Sequence, residues 1–347
     1  MNRSAARLFV LLTALTVLAP CARAWDYEGH RAINLLALAS LPTNFPAFVR
    51  EPAAEERIGF LAGEMDRWRN TQDLPLEHYS FPDHYLDLEE LKDYGLDPEK
   101  LPVFRYDLVA QLAMYRAAHP DKFAPVDATK NQDHTRELVG FLPWGVAESV
   151  GKVKSGFSYL QALEEAGTPE EVANAKANLI YMMGVMGHLV GDSAQPLHTT
   201  VHHHGWVGPN PDHYSTNRGF HSWIDGGYLK KTGGVNLAKL KERLRPAKPV
   251  TIDGRPAKPE EMFQTAMLFL IGQNKLVEPL YQLDKEGKLA GDGEKGLQGK
   301  AFLEDQLLKA GQQLGDYWFT AWQQAPPDSF LKAQLAKRQK QGSRQNE

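Results

Sequence analysis

Between Met186 and Thr200 the chain reads M-G-H-L-V-G-D-S-A-Q-P-L-H-T-T, and no other stretch limits its fold as much. Back to about Val172, the apolar residues Val172, Ala175, Leu179, Met182, Met183 and Met186 recur at helical spacing. His188 and Asp192 then stand four apart, one above the other on a helix face, with Cβ atoms roughly 5–6 Å apart. That separation lets an imidazole and a carboxylate grip one cation. Pro196 removes a backbone donor and ends or kinks the helix, which can swing His198 back towards the same point. A single His-x-x-x-Asp pair can also be an ordinary intrahelical hydrogen bond, so the remaining chain has to decide.

The device recurs. After His198 comes a glycine- and histidine-rich loop, residues 201–219, and then F-H-S-W-I-D, with His221 and Asp225 again four apart. Within the loop, His202, His203 and His204 are either extra ligands or a solvated run beside a cleft. Nearer the start, Trp25–Ser40 reads as a helix with His30 close to its beginning. That histidine is either a capping or core residue, or a donor next to a free α-amine one and a half turns earlier. Asp66, in D-R-W-R, has no structural job legible in the sequence beyond an ion pair with Arg67 or Arg69. His84 and His78 compete for one role, each followed by Tyr.

A free α-amine at Trp25 is what the first 24 residues lead one to expect. Arg3 and Arg7 form a basic start, Leu8 to Leu18 is an apolar core too short to span a bilayer, and Ala22-Arg23-Ala24 is a small-x-small cleavage site. A lipoprotein acceptor at Cys21 is the competing reading, and Pro20 directly before it fits that poorly. Cleavage after Ala24 removes Cys21, the only cysteine, so no disulfide or thiolate ligand is expected. Three arginines leave with the segment, taking the formal charge from −4 to −7. Such a balance argues against a broad basic face for nucleic acid; an anionic substrate would have to be attracted locally. No second apolar run reaches the roughly 18 residues a membrane helix needs.

Further amphipathic helices are predicted over residues 103–118, 148–166, 262–283 and 302–323, with 140–144 interrupting the series and 245–260 an exposed loop. The tail, 328–347, is expected to be disordered. No alternating β-branched run is long enough for a sheet, so the expected fold is all-α, and length alone allows one large or two modest domains.

The start W-x-x-x-x-H, the D-R-W-R segment, H-Y-L-D, H-L-V-G-D-S-A-Q-P-L-H and H-S-W-I-D occur in the order found in the zinc-dependent phospholipase C and single-strand nuclease superfamily, which this chain resembles over nearly its whole length after residue 24. The central motif is highly specific and the others individually weak. The resemblance implies one mostly helical catalytic domain, over 25–327, around a trinuclear zinc cleft. Carried across position by position, it gives one zinc to His30 and the amine and carbonyl of Trp25. Asp192 would bridge that ion to a second on Asp66, His84 and His188, and the third would sit on His198, His221 and Asp225. The spacing from Trp25 to His30, the long interval from His198 to His221 and a final Asp rather than Glu favour the nuclease branch (the P-one/S-one type). The Gly-Gly-Asn of that branch is replaced by H-H-H-G-W-V-G-P-N-P, and the interval from Asp66 to His84 is longer than usual; the first departure bears on substrate choice, the second keeps His78 in contention.

The expected activity is phosphodiester hydrolysis. Two zinc ions sharing Asp192 can bring the pKa of a bridging water towards ~7, and the third can hold a phosphoryl oxygen. Asp66 is the candidate to orient or deprotonate that water. Tyr85, Trp206, Tyr214 and Phe220 are candidates for stacking on a base, a mode that suits single strands, with core packing or loop anchoring as the alternative for each. The expectation is an exported enzyme, periplasmic or secreted, cleaving single-stranded nucleic acid or 3′-nucleotides, with no stable protein partner. Alternatives are a phospholipase C acting on lipid head groups and a zinc-binding protein without turnover.

Overall fold

In the computed structural model, which describes residues 25–345, the helix Tyr27–Ser40 is covered along most of its length by other helices. Asp26 starts it, its carboxylate accepting a hydrogen bond from the Gly29 amide at 3.0 Å. Four helices pack on it: Pro52–Leu61, Pro169–Ser193, Lys300–Gln323 and the short Leu237–Lys241. Glycine sets how close they come. A Cβ on Gly187 would fall 1.6 Å from Asn34 Oδ1, on Gly191 2.7 Å from His30 Nδ1, and on Gly315 2.0 Å from Ser40 Oγ. Asn34 fills the gap so created by donating to the carbonyls of Ile58 (2.7 Å) and Gly184 (2.9 Å), which ties three helices at one buried point.

The longest unit is the antiparallel pair Leu142–Ala166 and Pro169–Ser193. Its turn is fixed by a capping box: Thr168 Oγ1 accepts from the Glu171 amide and Glu171 accepts from the Thr168 amide, with Pro169 in the first turn. Trp25, Trp144, Phe157 and Trp318 are among the large side chains buried in the core around these helices. Helix makes up 68% and strand 1% of this single domain, so the site has no sheet to stand on and must be built between helices. No helix among the described residues is long and apolar enough to cross a membrane.

Four local expectations change. Residues 140–144 do not interrupt a helix but open one, with Pro143 in its first turn where a missing N–H costs nothing. The helix expected over 262–283 is two, Met262–Asn274 and Val277–Lys285. Pro279 accounts for the break, since in a continuous helix its ring would meet the carbonyl of Lys275. The tail expected to be disordered is helical over Ser329–Gln345. Leu335 is buried there, and Lys332–Glu165 and Arg338–Glu171 pairs, both at 2.7 Å, hold it to the long helix pair. The exposed loop 245–260 contains a two-residue-per-strand hairpin, Thr251–Ile252 with Arg255–Pro256, around Asp253-Gly254. The expected leader, residues 1–24, lies outside the described residues.

Because Gly187 has no room for a methyl group, Gly187→Ala should lower unfolding free energy by about 1–3 kcal/mol in chemical denaturation. Equal stability would show that Asn34 and the helix contact yield without strain.

Candidate metal centre

The helix Pro169–Ser193 carries His188 and Asp192 into the interior, both fully buried. Their side chains meet as the spacing predicts, Nε2 to Oδ2 at 3.4 Å. The close approach at Gly191 lays His30 against them: its ring stacks on His188 at 3.8 Å between centroids, and its Nε2 is 3.4 Å from Asp192 Oδ1. A short turn over Phe81–His84 delivers His84, whose Nδ1 is 2.9 Å from Asp192 Oδ2 and 3.1 Å from His188 Nε2. Asp66, from the helix Glu64–Arg69, has Oδ1 3.8 Å from His188 Nε2. The same oxygen is 2.8 Å from Arg69, so Asp66 makes the ion pair while standing beside His188.

After Ala194 the chain leaves the helix, and the turn Pro196–Thr199 folds His198 back to 3.8 Å from Asp192. His221 and Asp225 lie on a helical turn that widens to a π-helix over Trp223–Gly227, with Nε2 and Oδ2 3.2 Å apart. Three groups of potential ligands result: His30, His188 and Asp192; Asp66, His84 and His188; His198, His221 and Asp225. His188 belongs to two of them, whereas the sequence reading gave it to one. Trp25 is buried at the junction: its indole donates to the Gly191 carbonyl at 3.1 Å, and the next amide, of Asp26, donates to the Asp225 carbonyl at 3.0 Å.

The donor set fits cations better than it fits itself. Burial ordinarily comes with hydrogen bonds, yet both nitrogens of His30 and His221, Nε2 of His84 and His198, Asp192 Oδ1 and Asp225 Oδ2 are buried without a hydrogen-bond partner. The other nitrogens of two histidines are fixed by carbonyls, His188 Nδ1 by Ala62 (2.7 Å) and His198 Nδ1 by His84 (2.5 Å). A carbonyl only accepts, so each Nδ1 carries the proton and each Nε2 presents a lone pair, the arrangement usual for metal-ligating histidine. Gln195 donates to Asp225 Oδ1 at 2.9 Å and leaves Oδ2 facing the cluster.

Electrostatics point the same way. Burial by itself raises Asp192, but His188 and His198, with His30 close beside them, outweigh it and hold the carboxyl well below its ordinary range. Burial, followed by the charge of Asp192, pushes Asp225 well above it. Burial lowers His30 to about 4, with His188 adding to the effect, and lowers His84 to about 3, with Arg69 adding. His30 and His84 are thus held neutral, as ligands must be, whereas His188 is raised, its burial outweighed by the carboxylates of Asp192 and Asp66.

His84, His198 and His221 open onto a cleft of ≈ 730 Å³, whose wall includes Arg69, Phe81, Tyr85, Asp87, Arg136 and Arg218. His78 is not in the cluster; its Nδ1 reaches the Asp133 carbonyl at 2.7 Å on the surface. Of the four aromatic candidates, Tyr85 lines the cleft. Trp206, Tyr214 and Phe220 instead pack around Tyr281, at ring separations of 5.3, 5.6 and 4.5 Å, and anchor the loop from behind. Of the two readings open for these three, stacking on a base and loop anchoring, their packing fits the second; an aromatic in a loop has the same composition signal either way. Asp87 is a wall residue the sequence reading passed over. Its carboxyl is buried, lacks a partner at Oδ1 and is raised well above its usual range by burial and by Glu90. The signal was there: Tyr85 is extended, so Tyr85 and Asp87 share a side.

No family model matches the chain, and no curated protein does. The geometry therefore stands alone: an all-helical domain with buried His/Asp clusters able to chelate metal ions, consistent with a metal-dependent hydrolase in general.

A pH titration of the metal-free chain checks the burial of these imidazoles. Unfolded histidine takes up a proton near 6.5, whereas folded His84 holds off until about 3. The stability its neutral burial brings is intact above pH 6.5 and lost as pH falls through that window. His84→Asn should make the slope of unfolding free energy against pH shallower there by about 1.4 kcal/mol per unit, measured by urea denaturation with chelator present. An unchanged slope would mean that His84 is protonated in the fold.

Proposed function

We propose that this chain is an exported zinc-dependent phosphodiester hydrolase acting on single-stranded nucleic acid or 3′-nucleotides. The observation that carries the reading is Asp192, fully buried, with Oδ1 turned to His30 and Oδ2 to His84 and His188. A carboxylate placed in this way can serve two ions at once. In this reading His30 and the amine and carbonyl of Trp25 hold one zinc, Asp66, His84 and His188 hold a second, and His198, His221 and Asp225 hold a third, with Asp192 shared between the first two. Such ions supply Lewis acidity and make water nucleophilic near neutral pH.

The residues of the chain do the rest. Asp66 is lowered below its ordinary range, burial being outweighed by His188 and Arg69, so it is ionised and can orient a water or take its proton. Arg69 lies in the cleft wall beside it and offers a guanidinium to a phosphoryl oxygen. Lys130, Arg136 and Arg218 line the same cleft, which supplies local attraction for an anion on a protein whose overall charge is negative. Tyr85, with Phe81 edge-on at 5.9 Å, presents a ring for stacking on an unpaired base. Removal of residues 1–24 would turn the Trp25 amide into an amine, so processing and metal binding would be one event. A second reading, hydrolysis of phospholipid head groups, draws on the exposed apolar side chains of Val103, Phe104 and Tyr106, which could meet a lipid surface.

Protein whose first residue is verified as Trp25 should release product from denatured DNA and RNA, and should stop doing so with chelator. Release from phosphatidylcholine alone would move the assignment to the second reading, and release from none at full zinc occupancy would end it. One extra residue before Trp25 should remove one zinc per chain and cut activity about 100-fold, because an amide nitrogen is no ligand at neutral pH; full activity with three zincs would refute the N-terminal ligation. Asp192→Asn should loosen two ions and His221→Ala one, read as metal content per chain. Equal losses would contradict a bridging Asp192.

A further inference from the structure

The histidine run His202–His204 is divided by the fold. His202 is structural: its ring lies flat on Trp206 at 3.9 Å, its Nδ1 accepts from the Val207 amide at 3.2 Å, and Tyr281 donates to its carbonyl. His203 and His204 instead line the cleft. Their rings are 4.6 Å apart between centroids, and they stand 5.9 and 5.3 Å from the ring of His221. Two imidazoles bound to one ion, with metal–nitrogen bonds of about 2.1 Å, keep their ring centres roughly 5 Å apart. The pair is therefore spaced as ligands are.

Two further features show preparation. His203 Nδ1 is 3.0 Å from the Thr200 carbonyl, so Nδ1 carries the proton and Nε2 keeps its lone pair. His188 and His198 are fixed by the same device. The segment that bears them is also pinned from several sides. Glu89 accepts from Thr200 Oγ1 (2.8 Å) and from the Val201 amide (3.1 Å), and Asn274 donates to the Thr199 carbonyl (2.9 Å). A solvated histidine run requires no such anchoring, whereas a site does.

We infer that His203 and His204 hold one additional, exchangeable transition-metal ion at the cleft wall beside the His198–His221–Asp225 cluster. Two neutral imidazoles with water completing the shell suit Zn²⁺, Ni²⁺ or Cu²⁺. With two protein donors against the three of each buried cluster, this ion fills last and leaves first. Its charge would stand where an anionic substrate enters. The inference depends on the proposed function only for that last consequence; the site itself can be tested without activity.

Metal-free protein starting at Trp25 is dialysed against rising Zn²⁺, and metal per chain is measured for the wild type and for the variants His203→Ala, His204→Ala and His203→Gln/His204→Gln. The wild type should take up one weakly held ion after the tight ones, and each variant should lose that ion alone, with unchanged helical circular dichroism. The Gln pair keeps polar side chains of similar bulk and guards against a collapsed loop. Cu²⁺ added last should show imidazole-nitrogen hyperfine structure that the variants lack. Identical uptake curves for wild type and variants would overturn the inference, as would loss of a tight ion, which would make the pair part of the His221 cluster. If fewer than three tight ions bind while the weak one persists and disappears in the variants, the trinuclear reading fails and this site survives.

Discussion

A carboxylate with no exposed surface is the constraint on which the centre of this molecule depends. Asp192 faces His30, His84, His188 and His198 at 2.9–3.8 Å. An isolated buried charge costs several kcal/mol unless it is paired and hydrogen-bonded. The histidines provide only part of that compensation, and Asp225, pushed upward by burial and then by the charge of Asp192, cannot ionise beside it without a further cost. Cations relieve both problems at once. The same groups that destabilise an empty core are thereby the ones able to chelate a metal ion.

The fold serves this point through close packing. Glycines on Pro169–Ser193 bring the helix Tyr27–Ser40 near enough for His30 to stack on His188, and Asn34 satisfies the carbonyls that meet there. The clusters sit where helices end or change pitch: the C-terminal turns of Pro169–Ser193, the short turn that ends on His84 and the π-helical turn that holds Asp225. Irregular backbone lets side chains from distant parts of the chain point at one volume. It also places carbonyls where they can orient imidazoles, which regular helices would keep engaged in their own ladders.

Much of the site was legible because its spacing is local. His188 and Asp192 are four apart, and so are His221 and Asp225. The helical period alone brings each pair together, and Pro196 reverses the chain at His198. The choice between His78 and His84 was not legible, since both are followed by Tyr and differ only in where a short turn sends them. For the same reason Trp206, Tyr214 and Phe220 could not be told from cleft residues. Whether an aromatic ring faces a cavity or Tyr281 depends on chain that returns from 61 to 75 residues away.

The sequence by itself determined the helical character of the domain, the donor types and the local pairs, because periodicity and proline act over a few residues. Only the tertiary structure decided that His188 would belong to two donor groups, that Asp87 would join the cleft wall, and that one histidine of the loop would support it while two face inward. These outcomes depend on which helices approach to within a glycine's width and on which carbonyl meets which imidazole. No spacing along the chain encodes such contacts.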